Sequence, residues 1–238
     1  METENRKKST KTSKFIFVCA SLVVLTFVTS KVWKSSGSGE WELELEKNGV
    51  EVFSMKSPGS SVKQYKGVMQ SDYSLNHLVA GLIENSTLDN CKNNIPNCVD
   101  LQVLDEWDAN LMSDTVLWKL ELFPPLKPRE ILIRSHVNQD EVTKVVSVDI
   151  YGAPNRIPRN ENTVRLSYIQ NKWVYTPVAE GQTQIEFYQD MNMGGLFPDF
   201  LLNLAGADET YKFLHDQLPG LLNNDGLSSK KYDFIAEL

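Results

Sequence analysis

The residues best equipped for metal or nucleophilic chemistry are His77, His136 and His215, together with Cys19, Cys91 and Cys98. No histidine stands at a metal-ligand spacing from another histidine or a cysteine, and two cysteines alone cannot make a structural zinc site. The chain has no G-x-S-x-G elbow, no phosphate-binding P-loop and no H-E-x-x-H helix. His77 falls in a helical stretch, His136 on the outer face of a strand and His215 in the C-terminal helix, where surface or core-edge residues are expected. Aspartates and glutamates are plentiful, but most alternate outward as solvated faces do. No catalytic residue, metal ligand or cofactor is assigned, and the chain is expected not to be an enzyme.

Cys91 and Cys98 flank a polar loop, CKNNIPNC. A disulfide there would contribute about 2–3 kcal/mol by restricting the unfolded chain, given an oxidising compartment. Two free thiols fit the sequence as well. Asn85-Ser86-Thr87 matches a glycosylation acceptor pattern.

The elements that would hold a site are mostly strands. Gly49–Lys56 and Val62–Gln70 read as a pair joined at Pro58-Gly59-Ser60-Ser61. Ser74 caps a helix carrying Leu75, Leu78, Val79, Leu82 and Ile83 at helical spacing. Strand-like runs follow at Val99–Trp107, Thr115–Phe123, Glu130–Val137, Lys144–Ile150, Val164–Tyr168, Trp173–Val178 and Thr183–Asp190, and Leu196–Leu218 is helical. Short connections favour an antiparallel meander, so the fold class is α+β. Alternation sets Val116, Trp118, Leu120 and Leu122 on one face, Ile131, Ile133, Ser135 and Val137 on another, and Ile185 with Phe187 on a third. Periodicity alone fits a filled core. The apolar stripe of the last helix, Leu196, Phe197, Phe200, Leu201 and Leu204, suggests instead a hollow interior with that helix as a lid. Gly194-Gly195 and Gly206 would be its soft points.

Charge is uneven. Of 24 basic and 31 acidic residues, the first 34 positions hold seven and two, so residues 35–238 carry 17 and 29, a net of −12. Such a domain repels nucleic acid, which is bound through phosphate neutralisation. Residues 1–14 form a basic segment, and residues 15–33 a membrane anchor or a signal segment. As a helix, Phe15–Trp33 would span roughly 28 Å, close to a thin hydrocarbon core. The expected placement is single-pass with a cytoplasmic N-terminus, or export, leaving the domain extracytoplasmic. Residues 34–40 read as a Gly/Ser linker, 41–220 as the domain and 221–238 as a tail.

From Trp41 to Leu218 the chain resembles the START domains, the lipid-transfer domains related to steroidogenic acute regulatory protein. The likeness rests on Trp41 followed by NGVEVFSM, on Pro128-Arg129-Glu130, and on Val164-Arg165, Trp173, Pro177 and Met193-Gly194-Gly195-Leu196-Phe197-Pro198 in order. It implies a helix-grip fold, a curved antiparallel sheet around a long C-terminal helix, enclosing a tunnel for one lipid or sterol. It also implies no cofactor, a membrane as partner, and a monomer. On this reading the tunnel is lined by Val116, Trp118, Leu120, Ile131, Ile133, Ser135, Ile185, Phe187, Leu196, Phe197, Phe200, Leu201 and Leu204. The carboxylate–arginine pair of cholesterol-binding members falls on Val116 and Ser135, which implies a drier pocket with Ser135 as a polar contact. Arg129 and Glu130 read as structural. A cyclase or hydrolase of the same superfold, or a ligand-free adaptor, is the alternative.

Overall fold

Ten strands form one sheet, and its first hairpin shows how the sequence dictates it. β1 (Trp41–Lys47) and β2 (Val50–Met55) pair with Lys47 opposite Val50. Asn48 and Gly49 between them have φ of 50° and 77°, the left-handed pair that a two-residue hairpin turn requires. The computed structural model describes residues 15–238 except 19, 22–24, 27, 224 and 225.

β3 (Gln64–Ser71) follows, then α1 (Leu75–Ile83) and α2 (Leu88–Asn94). Ser74 Oγ accepts from the His77 N–H, and Thr87 Oγ1 accepts from the Asn90 N–H, so each helix starts on a side-chain cap. β4 (Cys98–Asp108), β5 (Ser113–Leu120), β6 (Arg129–Gln139) and β7 (Val146–Gly152) come next. β8 (Val164–Arg165), β9 (Gln170–Ala179) and β10 (Gln182–Gln189) complete the sheet. The order is β1-β2-β3-β10-β9-β7-β6-β5-β4, antiparallel throughout, with β8 beside β6 in parallel. Register shifts in β1–β2, β4–β5 and β9–β10 bend the strands that contain them.

The C-terminal helix begins at Asp199, three residues later than its apolar pattern suggests. α3 (Asp199–Lys212) continues through one π turn, Phe213–Gln217, into α4 (Leu218–Leu222). Its inward stripe is Gly206, Thr210 and Leu214. Thr210 and Leu214 are buried, and a Cβ on Gly206 would lie 2.1 Å from the Tyr65 ring. Gly67 on β3 makes the matching notch, since a Cβ there would lie 2.3 Å from Leu214 Cδ1. Gly206 is therefore a packing site, not a soft point.

The stretch set off above as a tail contributes buried side chains. Leu222, Leu227 and Ile235 are buried. The Glu237 carboxylate accepts from the backbone N–H groups of Leu75 and Asn76 at 3.1 and 2.8 Å, satisfying the first turn of α1.

The chain divides into two units, Met1–Glu40 with Lys56–Ser61, and Trp41–Met55 with Val62–Leu238. In the first, the linker is tied down: the Gly59 N–H donates to the Lys34 carbonyl at 2.7 Å and Lys56 Nζ to the Ser36 carbonyl at 3.1 Å. The basic segment 1–14 lies outside the described residues, as do Cys19 and positions 22–24 and 27 of the apolar run. The run's described residues are helical and exposed. Among the described residues no helix is long and apolar enough to cross a membrane.

Candidate functional site

The concave face of the sheet, α1 and the C-terminal helical segment enclose a cavity of about 290 Å³. Val116 and Trp118 on β5 and Ile131 and Ile133 on β6 form one wall, and they face inward together because Val116 pairs with Ile133 and Trp118 with Ile131. Leu78 and Leu82 of α1 stand across from the strands, and Phe213, Leu218, Leu221 and Leu222 close the chamber. Three aromatic rings meet on its surface. Trp173 stacks on Phe187 with centroids 4.2 Å apart, and Phe213 lies 5.2 Å from Phe187 and 5.8 Å from Trp173. A larger hollow, about 910 Å³, mixes Trp41, Tyr151, Tyr168 and Tyr188 with Asp149, Lys172 and Asp190.

Six of the expected lining residues reach the cavity: Val116, Trp118, Ile131, Ile133, Ser135 and Phe187. Leu120 instead packs against the cluster of Cys91, Cys98 and Leu101, Ile185 is fully buried in the main core, and Phe197 packs on Leu166, Ile169 and Met193. Leu201 is half-buried away from the cavity wall. Leu196, Phe200 and Leu204 point to solvent, at 90, 64 and 77% exposure. The physical reason is the Gly206–Thr210–Leu214 stripe: with that side of the helix turned to the sheet, Phe200 and Leu204 must turn away. Residues of the C-terminal helical segment do line the cavity, but from the π turn and α4 rather than from the first turns of α3.

Sequence reasoning also missed a polar wall. Asp114 lies opposite Ser135 in the β5–β6 register, both line the cavity, and Ser135 Oγ donates to the Asp114 carboxylate. Burial holds the Asp114 carboxyl above its usual range, the hydrogen bonds from the Ser135 hydroxyl and from the Asp114 and Ser135 backbone opposing and the like charge of Glu106 adding least. The pocket is therefore less dry than Val116 and Ser135 alone implied. Asn171 and Gln189 add amides to the lining, and the Trp118 indole N–H is buried with no partner among the described residues. Asn85 is engaged internally, its Nδ2 donating to the Leu221 carbonyl.

Arg129 fixes the turn that launches α3, and the Glu130–Arg165 pair ties down the loop at 154–158. Arg129 is 1% exposed. Its Nε donates to the Met193 carbonyl at 2.7 Å and its Nη2 to the Gly194 carbonyl at 3.1 Å. Gly194 and Gly195 have φ of 62° and 60°, which glycine adopts without the Cβ penalty. Glu130 Oε2 accepts from Arg165 Nε and Nη2 at 2.9 and 2.7 Å, and Arg165 also donates to the carbonyls of Pro154, Ile157 and Pro158. None of the three lines the cavity. Cys91 and Cys98 are joined as a disulfide, Cα atoms 5.5 Å apart, linking α2 to β4.

A curved antiparallel sheet closed by a C-terminal helix over an apolar chamber is the helix-grip architecture, and the fold of this domain is START-like. Several solved structures share it. The STAR-related lipid transfer protein fragment of Xanthomonas axonopodis superimposes with a TM-score of 0.69 at 16% identity, covering 79% of this chain and 100% of that one. Human STARD10 gives 0.65 at 14% identity over 79% of this chain and 76% of its own. Human StAR-related lipid transfer protein 5 gives 0.62 at 15% identity over 86% and 96%. In sequence, an uncharacterized protein of Pseudomonas aeruginosa is 22% identical over 188 residues, 77% of this chain and 89% of its own length. No protein-family model matches the chain.

Proposed function

We propose that this protein binds one compact lipid in the cavity and carries or presents it near a membrane. The observation that carries the reading is the apolar chamber itself, 290 Å³ within a START-like domain. Two structural neighbours are named as lipid transfer proteins. Burying the ligand's apolar surface would drive binding, at about 25 cal/mol per Å². The volume stands at the low end of the roughly 300–1,000 Å³ typical of small-molecule sites, which favours a sterol or a single-chain lipid over a two-chain phospholipid. The acidic surface disfavours anionic lipids in the same direction.

The basic segment 1–14 and the apolar run 15–33 support an anchored chain with a cytoplasmic N-terminus, or an exported one, with the domain acting as a monomer on the extracytoplasmic side. The domain does no covalent chemistry in this reading.

Residues 40–238, expressed in a lipid-containing host and purified without detergent, should carry one lipid mass per chain in native mass spectrometry. A bare protein that takes up no sterol, ceramide or phospholipid from a panel overturns the proposal.

A further inference from the structure

We infer that the Asp114 carboxylate, steadied by Ser135, selects the ligand's head group, accepting hydrogen bonds from a head that is a donor without negative charge, a hydroxyl or a protonated amine. The inference rests on the lipid-binding reading above and names the ligand class within it. Asp114 is 7% exposed, lines the cavity and sits directly across from Ser135. An ionised carboxylate offers about four acceptor positions, and the Ser135 hydroxyl and the backbone N–H groups of Asp114 and Ser135 supply hydrogens to it without supplying a positive charge. No ion pair involves Asp114 among the described residues. Arg134, adjacent to Ser135 on β6, belongs to the opposite face by alternation and donates there to Ser113 Oγ at 2.9 Å.

The charge that acts on Asp114 is that of Glu106, another carboxylate. A carboxylate left in an apolar wall without a cation is costly. A ligand that brings donors removes that cost, and one that brings a carboxylate or phosphate adds repulsion and a second desolvated charge. The rest of the wall, Val116, Ile131 and Ile133 beside the pair, supplies no cation to offset an anionic head.

The test uses the full chain in detergent micelles holding equimolar hexadecylamine, hexadecanol, palmitic acid and methyl palmitate, four probes differing only at the head. Native mass spectrometry reads which adduct is retained at one per chain. Amine and alcohol should each exceed the acid and the ester at least tenfold, and the two donor arms together show whether charge or hydrogen bonding dominates. Asp114→Asn should bring the ratios to within about twofold of unity, whereas Ser135→Ala, which leaves the carboxylate in place, should keep the preference. Circular dichroism confirms that each variant is folded. Equal retention of all four probes by the wild type, or a preference unchanged in Asp114→Asn or lost in both variants, overturns the selector while leaving the cavity reading intact. Failure of the wild type to retain any of the four, or a sterol, removes the binding reading and the selector with it.

Discussion

Glu130→Gln tests whether the buried ion pair holds the frame of the cavity. The Glu130 and Arg165 side chains are 7 and 2% exposed and meet through two hydrogen bonds of 2.9 and 2.7 Å. Removing one member of such a pair leaves a buried charge without its counter-ion and costs about 3–5 kcal/mol. Arg165 keeps three carbonyl acceptors, at 3.3, 2.6 and 3.0 Å, so the lower end of that range applies. For a chain of this size each kcal/mol lowers Tm by roughly 2–4 °C, which gives a fall of about 6–12 °C. Thermal unfolding followed by circular dichroism measures it. Lipid occupancy well below the transition should not change, since neither residue lines the cavity. A single variant melting within about 2 °C of wild type would refute the argument.

Asp114→Asn should stabilise the ligand-free protein at neutral pH, because the folded chain binds the Asp114 proton more tightly than the unfolded chain does. The wild type's Asp114 contribution is thus greatest below the unfolded value, near 4, and is lost as pH rises from there through the raised folded value; a variant melting as the wild type does at pH 7, with the same pH slope, contradicts this. Replacing Cys91 and Cys98 together by alanine should cost about 2–3 kcal/mol, read from denaturant midpoints, and reducing agent should lower the wild type's midpoint but not the variant's. Val116→Trp should fill the chamber and cut lipid uptake at least tenfold while the sheet still forms, an overpacking cost of about 1–3 kcal/mol. Phe200→Asp, on the outward face, should leave uptake in micelles within about twofold, and the opposite ranking of these two variants would move the site to the outside of α3.

The sheet was legible where a strand alternates and is bounded by turn residues. Trp173–Val178 and Thr183–Asp190 coincide with β9 and β10 to within a few residues, because one face of each is buried and the other is wet. β1 was harder to read because its partner lies on one side only: it is an edge strand with most of its residues exposed. Its signal is the Asn48-Gly49 turn rather than its faces. α2 hides for a different reason. Leu88–Asn94 carries almost no apolar stripe, and the segment is held as a helix by the Thr87 cap at its start and the Cys91–Cys98 disulfide at its end, tertiary constraints that no periodicity records.

The site divides along the same line. The wall of Val116, Trp118, Ile131, Ile133 and Phe187 follows from alternation, since parity along a strand fixes the face of every second residue. Parity fails at a strand's end only if the end is misplaced. Beginning β5 at Thr115 rather than Ser113 left Asp114 outside the strand, although it shares parity with Val116 and Trp118 and stands opposite Ser135. A carboxylate is also the residue that an apolar pattern is least prepared to admit, because burying it costs free energy that packing does not return. The helix shows the converse. Leu196, Phe200 and Leu204 look like an inward stripe, yet two glycine notches decide the rotation, Gly206 making room for the Tyr65 ring and Gly67 for Leu214. In the chamber's closing segment the informative residues were therefore the small ones, and in its wall the one charged residue that hydrophobic patterning passes over.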